Sequence, residues 1–378
     1  MEVDNCMKIA IDARGINWYK GTGIGTYTDK ILRYMIKTHR EIFYQIYWSG
    51  GNYDEFENDN TKILMASKRY HRFFEQHYFP RNLTNDNIDI YHIPQNGIGI
   101  SEKIPCKTVV TIHDLIPYIL PETVGKGYLG KFLQEMPRIV DLSSGIITVS
   151  ECSKRDILKF FPIDENKVFV TPLAADDKYK PLDKEKCRTI IKENYNIDKP
   201  FILYIGGFSP RKNVKSLILA FSKIYMKLKD EYNLVIVGSN KDDRNLLKDL
   251  SIDLAVESRV KFTGFVDENL LPVLYNACDV FVYPSLYEGF GLPPLEAMSC
   301  GTPVITSDIS SIPEVVGDGG ILIDPFNIDR LMSSLENLLN SESARSSLSI
   351  KALQRASNFS WEKTSEKTVE AYKNILSI

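Results

Sequence analysis

The stretch Phe201-Ile-Leu-Tyr-Ile205, followed by Gly206-Gly207 and an amphipathic run over Val214–Leu228, is the clearest fold signal in this sequence. Five consecutive apolar residues that end in a glycine turn indicate a buried strand, and the run that follows has apolar residues at helical spacing. Strand, turn and helix in this order begin a βαβ unit. The chain from residue 201 onward therefore predicts a parallel sheet covered by helices.

The same order of elements occurs earlier in the chain. The strand-like run Lys8–Asp12 is followed by the glycine-rich segment Gly21–Gly25 and the helix-like stretch Thr26–Lys37. Further strand-like runs are Tyr44–Trp48, Ile88–Ile93, Thr108–Ile112, Gly145–Val149, Leu234–Val237, Val260–Thr263, Asp279–Tyr283, Pro303–Thr306 and Gly320–Ile323. Two such series predict an α/β protein with two doubly wound, Rossmann-like domains. A ligand site is expected at the carboxyl ends of the strands, in the cleft between the domains.

The length of 378 residues suits two domains rather than one. We predict an N-terminal domain over residues 1–180 and a C-terminal domain over 201–360. Residues 181–200 are the predicted linker, because the region before Pro200 is polar and contains prolines. The end of the chain, 361–378, has helical periodicity, and we predict that this helix packs back on the N-terminal domain.

Composition excludes several classes of protein. The formal net charge of −3 gives no general attraction to nucleic acid. The six cysteines are scattered without zinc spacing, and there is no Asp-x-Asp motif, so we predict neither a metal site nor a cofactor. No apolar run reaches the roughly 20 residues that span a bilayer. We therefore expect a cytoplasmic protein.

The strongest functional motif is Glu288-Gly-Phe-Gly-Leu-Pro-Pro-Leu-Glu296, which places two carboxylates eight positions apart. The first carboxylate lies in a glycine and proline loop and the second just inside a predicted helix. Gly289 and Gly291 permit close approach of the backbone to a ligand, and the amides at the helix start favour an anionic group. Carboxylates accept hydrogen bonds from sugar and ribose hydroxyls. The motif therefore predicts a site for a sugar and an anion together.

On this motif the chain resembles the retaining glycosyltransferases of family 4 (group 1), whose E-x7-E element it matches at Glu288 and Glu296. Three further segments resemble the mannosyltransferase B-like subgroup of that family: His113–Pro117, Thr148–Ser153 and Tyr204–Asn213. The resemblance covers nearly the whole chain and is strongest from Tyr204 to Pro325. It implies the GT-B fold, in which two Rossmann-like domains face each other across a cleft.

The resemblance also implies a role for individual residues. Glu288 is expected beside the donor sugar, and Glu296 is expected to bind the ribose of the nucleotide. We predict further donor contacts from Gly23, Gly25, Gly207, Gly289, Phe290, Gly291 and Leu292.

Two adjacent cations, Arg211 and Lys212, follow the strand and turn at the start of the C-terminal domain. Cations are mildly unfavourable near a helix N-terminus, which favours a functional reason for the pair. Negative charge grows on a departing diphosphate, and two cations aimed at it would stabilise the transition state without a metal. Many family members have an arginine directly after the first glycine of this turn, where this chain has Gly207, and Arg211 is the candidate substitute.

Two segments of the N-terminal domain are also candidates. The loop Gly21-Thr22-Gly23-Ile24-Gly25 matches a dinucleotide fingerprint loosely and is equally typical of an ordinary glycine-rich turn. In the resembling family this loop faces the donor phosphates and the acceptor. His113 ends the predicted strand Thr108–Ile112, and the matching histidine of the family lies near the donor sugar. The alternative for His113 is a structural histidine in the core.

The stretch Lys68–Phe79 interleaves basic and aromatic residues. One interpretation is a face that contacts anionic lipid headgroups or a lipid-linked acceptor, over residues 68–81. The other is a helix that packs its aromatic residues into the domain core.

The sequence thus predicts a retaining, metal-independent hexosyltransferase. The preferred donor is GDP-mannose, and the acceptor is a glycan or lipid-linked glycan of bacterial surface polysaccharide synthesis. Three alternatives stay open: a UDP-sugar-dependent transferase, a nucleotide-sugar 2-epimerase, and a non-catalytic nucleotide-sugar-binding protein. An NAD-dependent oxidoreductase is disfavoured, because Gly21–Gly25 lacks the complete fingerprint with its acidic residue.

Overall fold

A computed structural model describes residues 6–238 and 244–378 of the chain. Within these residues there are thirteen strands. They are β1 (Lys8–Asp12), β2 (Phe43–Trp48), β3 (Thr61–Met65), β4 (Ile90–Ile93), β5 (Lys107–Ile112), β6 (Gly145–Thr148), β7 (Val168–Val170), β8 (Phe201–Ile205), β9 (Asn233–Val237), β10 (Val260–Gly264), β11 (Val280–Tyr283), β12 (Val304–Ser307) and β13 (Ile321–Ile323).

The described residues also form sixteen α-helices. They are α1 (Gly15–Trp18), α2 (Gly23–Thr38), α3 (His71–Phe73), α4 (Phe79–Asn85), α5 (Ile116–Ile119), α6 (Lys126–Leu142), α7 (Glu151–Phe160), α8 (Lys184–Tyr195), α9 (Val214–Ile224), α10 (Arg244–Asp253), α11 (Leu271–Ala277), α12 (Leu292–Ser299), α13 (Ile312–Val316), α14 (Ile328–Asn340), α15 (Glu342–Ala356) and α16 (Trp361–Ser377). A π-helix, Phe74–Tyr78, joins α3 to α4.

The chain divides into two compact units. The first unit comprises the residues up to Leu173 together with Ser360–Ile378, and the second unit comprises Ala174–Phe359. The first unit has a seven-stranded sheet in the order β3-β2-β1-β4-β5-β6-β7, and the second has a six-stranded sheet in the order β10-β9-β8-β11-β12-β13. All pairs formed by these thirteen strands are parallel.

The two sheets share one topology. In each, the first strand of the series pairs on one side with the second and on the other side with the fourth, so the winding direction reverses between β1 and β4 and between β8 and β11. Such a reversal defines a doubly wound sheet, and ligands bind at the carboxyl ends of the strands beside it. The predicted fold class, an α/β protein with two doubly wound Rossmann-like domains, is confirmed.

Two strands that the sequence analysis did not identify are β3 and β7, which form the two edges of the first sheet. Thr61 and Lys62 of β3 are not buried, and two of the three residues of β7 are only partly buried. Edge strands need fewer apolar residues than central strands, because one side of an edge strand has no neighbouring strand to cover it. The apolar pattern of β3 and β7 is therefore too weak to predict either strand from the sequence.

The predicted linker over 181–200 is a helical part of the second unit. Helix α8 occupies most of this region and packs on α11. The backbone N–H of Leu182 donates to Asn276 Oδ1 at 2.8 Å, and Lys184 Nζ lies 2.5 Å from Asp279 Oδ1. The polar composition that indicated a linker belongs instead to the exposed face of a surface helix.

Helix α16 belongs to the first unit although it follows the whole of the second unit in sequence. It packs on α2 and contacts β5 and β6. Its buried residues recur at helical spacing and include Trp361, Val369, Tyr372 and Ile375. The apolar face of the helix is therefore what attaches the end of the chain to the first sheet.

All six cysteines lie within the described residues, and none of them forms a disulfide bond. In residues 6–238 and 244–378, no group of three or more His, Cys, Asp or Glu side chains is placed to hold a metal ion. None of the helices in these ranges is long and apolar enough to cross a membrane.

Candidate active site

Three of the predicted site residues meet at the point where the second sheet reverses its winding. Arg211 and Lys212 lie in a short 3₁₀ helix, Pro210–Lys212, after the end of β8, and Glu288 lies in the loop after β11. Lys212 Nζ is 2.6 Å and Arg211 Nη1 is 2.9 Å from Glu288 Oε1. Arg211 also donates to the backbone carbonyl of Tyr287. The structure thus joins the two cations and the first glutamate into one cluster, a direct pairing that the sequence analysis did not predict.

The cluster carries a net positive charge. Burial by itself would raise the pKa of Glu288, but the charges of Lys212 and Arg211 and hydrogen bonds from Lys212 and Ser285 lower it below its usual value. Glu288 is therefore ionised at neutral pH. Two cations against one carboxylate leave one net positive charge at the carboxyl ends of β8 and β11, which favours an anionic ligand there.

Two residues a few positions before Glu288 hold its carboxylate and were missed by the sequence analysis. Tyr283 OH donates to Glu288 Oε1 at 3.0 Å, and Ser285 Oγ donates to the same oxygen at 2.5 Å. Their place in the sequence could have identified them, because polar residues that end or directly follow a buried parallel strand lie at the ligand-binding edge of the sheet.

Two further serines fasten the loop from the other side. Ser311 occupies the N-cap position of α13, but its side chain makes no capping hydrogen bond to that helix. Ser310 Oγ accepts from the backbone N–H of Glu288 at 3.1 Å. Ser311 Oγ lies 2.8 Å from the carbonyl of Glu288 and 2.7 Å from that of Phe290. The serines therefore fix the loop backbone instead of a helix end.

Some glycines and apolar residues of the motif can offer backbone groups to a ligand, whereas others pack in the core. Gly291 has φ +120°, a backbone conformation that requires glycine, and a Cβ there would lie 2.8 Å from Ile312 Cδ1. The ring of Phe290 is buried against Phe359, with ring centroids 6.0 Å apart. The predicted donor contact of Phe290 can therefore be made only by its backbone. Leu292 is the first residue of α12, where backbone N–H groups lack partners within the helix.

Gly207 is exposed, and a Cβ there would have no atom within 4 Å. Its neighbour Gly206 differs, because a Cβ at that position would lie only 2.7 Å from Tyr204 OH. Gly206 is thus required by packing, whereas the open backbone at Gly207 is accessible to a ligand.

Glu296 lies in the second turn of α12 and has a separate set of partners. Tyr275 OH donates to Glu296 Oε2 at 2.9 Å. Burial raises the pKa of Glu296 to about 7, although hydrogen bonds from Tyr275 and Tyr179 and the charge of Lys178 oppose the shift. Near neutral pH this carboxyl group therefore exists in both protonation states.

His113 follows β5 in the first unit, and its ring is fixed. Its Nε2 lies 2.9 Å from the carbonyl of Pro94, which can only accept, so Nε2 carries the proton. The backbone N–H of His113 donates to Asn96, and the ring packs edge to face on Tyr27 with centroids 4.9 Å apart. Burial lowers the pKa of His113 to about 4, so the ring is neutral. Nδ1 is then an acceptor to which no described residue donates.

A buried hydrogen-bonded chain below His113 was not predicted. Tyr372 OH of α16 lies 2.7 Å from His92 Nδ1, and His92 Nε2 lies 2.7 Å from Thr111 Oγ1. Thr111 Oγ1 in turn lies 3.1 Å from the hydroxyl of Tyr27, the residue whose ring contacts His113. Burial, with a smaller effect of nearby His113, lowers the pKa of His92 to about 3. Because these residues are far apart in the sequence, no local pattern could predict this series of hydrogen bonds.

The glycine-rich segment is largely helical, which corrects the predicted loop. Helix α2 begins at Gly23, and Thr22 caps it by accepting from the N–H of Gly25 at 3.4 Å. A Cβ at Gly25 would lie 2.3 Å from the carbonyl oxygen of Tyr19, so packing requires this glycine. Gly21 has φ +77°, whereas Gly23 has neither positive φ nor a close neighbour. Gly23 and Gly25 therefore belong to the first turn of a helix of sixteen residues.

The basic and aromatic stretch is divided between core and surface. The side chains of Phe74, Tyr78 and Phe79 pack in the core of the first unit, as the core interpretation predicts. Glu75 is also buried and lies 3.0 Å from the fully buried Arg14. In contrast, all six residues of Lys68–Phe73 are exposed. The core interpretation is therefore confirmed for Phe74, Tyr78 and Phe79, whereas the lipid contact stays a prediction for the exposed residues.

These features define a class of protein. Two doubly wound parallel sheets, one with a cluster of cations and a carboxylate at its reversal, form the GT-B fold of glycosyltransferases. A solved glycosyltransferase from Rickettsia africae ESF-5 shares this fold with a TM-score of 0.74 at 18% identity, over 98% of this chain and 99% of that chain.

Sequence comparison identifies the family. Residues 21–179 match the model "Glycosyltransferase Family 4", and residues 188–355 match the model "Glycosyl transferases group 1". The O-antigen chain mannosyltransferase B of Escherichia coli is 34% identical over 75% of this chain and 74% of its own length. The chain therefore belongs to the family 4, group 1 glycosyltransferases, and it is an enzyme of that class.

A second relative is longer than this chain. The serotype-specific mannosyltransferase WbdA of Escherichia coli is 31% identical over 73% of this chain, and the match spans 34% of WbdA. This chain therefore corresponds to about a third of that protein.

Proposed function

We propose that this glycosyltransferase moves a hexose, with mannose from GDP-mannose as the preferred donor, to a glycan or lipid-linked acceptor of bacterial surface polysaccharide. The names of the relatives support the mannosyl and O-antigen parts of this proposal. The observation that carries it is the cluster of Arg211, Lys212 and Glu288 at the reversal of the second sheet.

The cluster suits a diphosphate leaving group. In the proposed reaction, the bond between the anomeric carbon and the phosphate oxygen breaks while the acceptor oxygen bonds to the same face of that carbon. The acceptor proton passes to the departing phosphate, so configuration is retained without a separate base. Arg211 and Lys212 stabilise the charge that grows on the phosphate. Glu288, ionised and held by Tyr283 and Ser285, accepts hydrogen bonds from the sugar hydroxyls.

The remaining predicted residues have supporting roles in this proposal. Glu296 accepts from the ribose hydroxyls, and the backbone of Gly207, Gly289 and Leu292 contacts the donor. His113 accepts from a sugar hydroxyl through Nδ1, the ring nitrogen that its contact with Pro94 leaves unprotonated.

We also propose that transfer needs no metal or cofactor, because the two cations take the part that a bound metal plays in other transferases. Turnover is then expected to persist in EDTA. Complete inhibition that magnesium reverses would contradict this part of the proposal.

The donor is tested first by calorimetric titration with GDP, UDP and ADP. Selective GDP binding would support the mannosyl donor, and selective UDP binding would discard it while keeping the transferase. Product analysis without acceptor separates a 2-epimerase, which converts the nucleotide-sugar alone. Binding of intact donors without any turnover would instead support a non-catalytic binding protein.

The catalytic part of the proposal is tested with Lys212→Ala. We expect turnover to fall roughly 100-fold or more, because the charge of Lys212 matters most as the leaving group develops, while donor affinity falls much less. The two effects are measured by steady-state kinetics and calorimetry, with the exposed Lys186→Ala as a control. Equal losses of turnover and affinity would contradict the role assigned to Lys212.

We propose a peripheral membrane contact at the exposed run Lys68–Phe73. It carries three Lys or Arg side chains and no acidic residue, and Tyr70 and Phe73 are each more than half exposed. Basic residues with exposed aromatics bind anionic interfaces. Sedimentation with phosphatidylglycerol vesicles is expected to be weakened by salt and by Arg69→Ser with Arg72→Ser. The charge-matched pair Lys186→Ser with Lys227→Ser is the control, and equal effects of both pairs would contradict a specific contact.

A further inference from the structure

Two buried tyrosines lie side by side beneath the cluster in the second unit. Tyr204 is in β8 and Tyr283 ends β11, and these strands are paired neighbours at the reversal of the sheet. Their rings are nearly parallel, with an angle of 15° and centroids 5.9 Å apart. The side chains are 0% and 1% exposed. The two rings are thus equivalent parts of one packed layer, but their hydroxyl groups have different partners.

The hydroxyl of Tyr204 holds the glycine turn after β8. It donates to the carbonyl of Gly207 at 2.7 Å. It also requires glycine at position 206, where a Cβ would lie 2.7 Å from the hydroxyl oxygen. The backbone N–H of Gly206 donates in turn to the carbonyl of Val237 at 3.0 Å. The position of the exposed backbone at Gly207 is therefore set by the phenol of a fully buried residue.

The hydroxyl of Tyr283 lies between the two charged groups of the cluster. Lys212 Nζ is 2.5 Å from this hydroxyl, and the hydroxyl is 3.0 Å from Glu288 Oε1. An ammonium group can only donate and a carboxylate can only accept, so the phenol accepts from Lys212 and donates to Glu288. Burial and the charge of Glu288 raise the pKa of Tyr283 well above its usual value, which keeps the phenol protonated for this task.

We propose that Tyr283 and Tyr204 are positioning residues with separate tasks in the same site. Tyr283 aims the Lys212 ammonium and the Glu288 carboxylate at the reacting centre, and Tyr204 sets the turn at Gly207 that receives the nucleotide diphosphate. This proposal rests on the proposed function and adds the division of labour between two residues that contact no substrate.

The two hydroxyl groups are expected to affect different stages of the reaction. The lysine side chain is a flexible four-carbon stem, and a second hydrogen bond restricts where its charge points. Without the Tyr283 hydroxyl, Lys212 still pairs with Glu288 at 2.6 Å, so ground-state binding survives while the aim at the departing phosphate is lost. Without the Tyr204 hydroxyl, the turn loses its support and meets the diphosphate less well, in the ground state and the transition state alike.

The test compares Tyr283→Phe with Tyr204→Phe. Each variant deletes one oxygen from one of two stacked, buried rings, so each is the packing control for the other. The acceptor is unidentified, so turnover is measured as release of GDP from GDP-mannose, and of UDP from UDP-glucose, by water. Calorimetry with GDP and UDP measures affinity without turnover.

We expect Tyr283→Phe to lower kcat about tenfold with donor KM within about twofold of the wild type. We expect Tyr204→Phe to raise donor KM and nucleotide Kd about fivefold to tenfold, with kcat within about twofold. Parallel changes in both variants would overturn the proposal, because a purely structural role of the stacked pair predicts the same pattern for each. An unchanged kcat in Tyr283→Phe would overturn its assignment.

Failure of the proposed function gives a different result. If the wild type binds nucleotide but releases none from either donor, the proposed donors and the Tyr283 assignment are both overturned. The Tyr204 assignment is then decided by calorimetry alone, and it falls if Tyr204→Phe binds GDP and UDP as the wild type does.

Discussion

The two glutamates of the motif have opposite electrostatic environments although only eight positions separate them. The pKa of Glu288 is lowered, because two cations and several donors outweigh its burial. The pKa of Glu296 is raised to about 7, because burial outweighs its tyrosine partners and the charge of Lys178. One carboxylate is thus permanently charged beside the cations, whereas the charge of the other depends on pH.

This difference predicts the effect of Glu296→Gln on stability. The folded pKa of Glu296 lies above the unfolded value, so its ionisation costs stability as pH rises from about 4.5 through 7. Glutamine keeps an acceptor for Tyr275 and removes the charge. We expect the variant to be more stable than the wild type by about 1 kcal/mol at pH 8, after allowance for its partial exposure, and equally stable at pH 4.

Urea unfolding followed by far-UV circular dichroism at the two pH values measures this effect, with the exposed Glu257→Gln as the control. The same gain at pH 4 and pH 8 would show that burial of the charge is not its cause.

At the scale of elements, the attachment of α16 to the first sheet depends on one close contact. A Cβ at Gly145, the first residue of β6, would lie 2.4 Å from Cδ1 and 2.6 Å from Cγ1 of Ile375. The backbone of Gly145 is not among those with positive φ, so packing and not conformation requires glycine there. The end of α16 therefore lies directly on the strand.

We accordingly expect Gly145→Ala to destabilise the first unit by about 1–3 kcal/mol, the usual cost of overpacking. Ile375→Ala alone is expected to cost about 2–5 kcal/mol, but Gly145→Ala should cost much less in that background, because the clashing atoms are gone. The three tryptophans, Trp18, Trp48 and Trp361, all lie in the first unit, so tryptophan fluorescence during urea unfolding reports its stability. If the free-energy costs of Gly145→Ala and Ile375→Ala were strictly additive in the double variant, the contact between the two residues would be contradicted.

At the scale of the whole molecule, the chain leaves the first unit at Leu173, forms the second unit, and returns at Ser360. The cluster of Arg211, Lys212 and Glu288 lies entirely in the second unit. The first unit, in contrast, needs a helix from the far end of the chain to cover its sheet. Stability of the first unit and nucleotide binding by the second are therefore expected to depend on different parts of the sequence.

A chain that ends at Phe359 tests this expectation. It lacks α16, whose buried face includes Trp361, Tyr372 and Ile375, so the first unit should lose its cooperative, tryptophan-reported unfolding transition. Nucleotide affinity, measured by calorimetry with GDP and UDP, should stay within about threefold of the full chain. Loss of nucleotide binding together with the fluorescence transition would show that the second unit depends on α16.

Much of the fold could be predicted because its central strands are almost entirely buried. The runs Lys8–Asp12 and Phe201–Ile205 match β1 and β8 residue for residue, since both faces of such a strand must be apolar. Edge strands β3 and β7 were missed because they lack this requirement. The start of α2 was misplaced because glycines at 23 and 25 read as a loop, whereas the capping by Thr22 and the close approach to Tyr19 make them helical.

The sequence by itself determined the central strands, the doubly wound class and the chemical groups of the site, because these follow from local periodicity and residue type. Only the tertiary structure decided that Lys212 and Glu288, 76 positions apart, form one cluster with Tyr283 between them. It alone decided that Tyr372 reaches His92, 280 positions away. Hydrogen bonds and ion pairs act over about 3 Å in space, and a local pattern of residues carries no information about which distant segments the sheet brings that close.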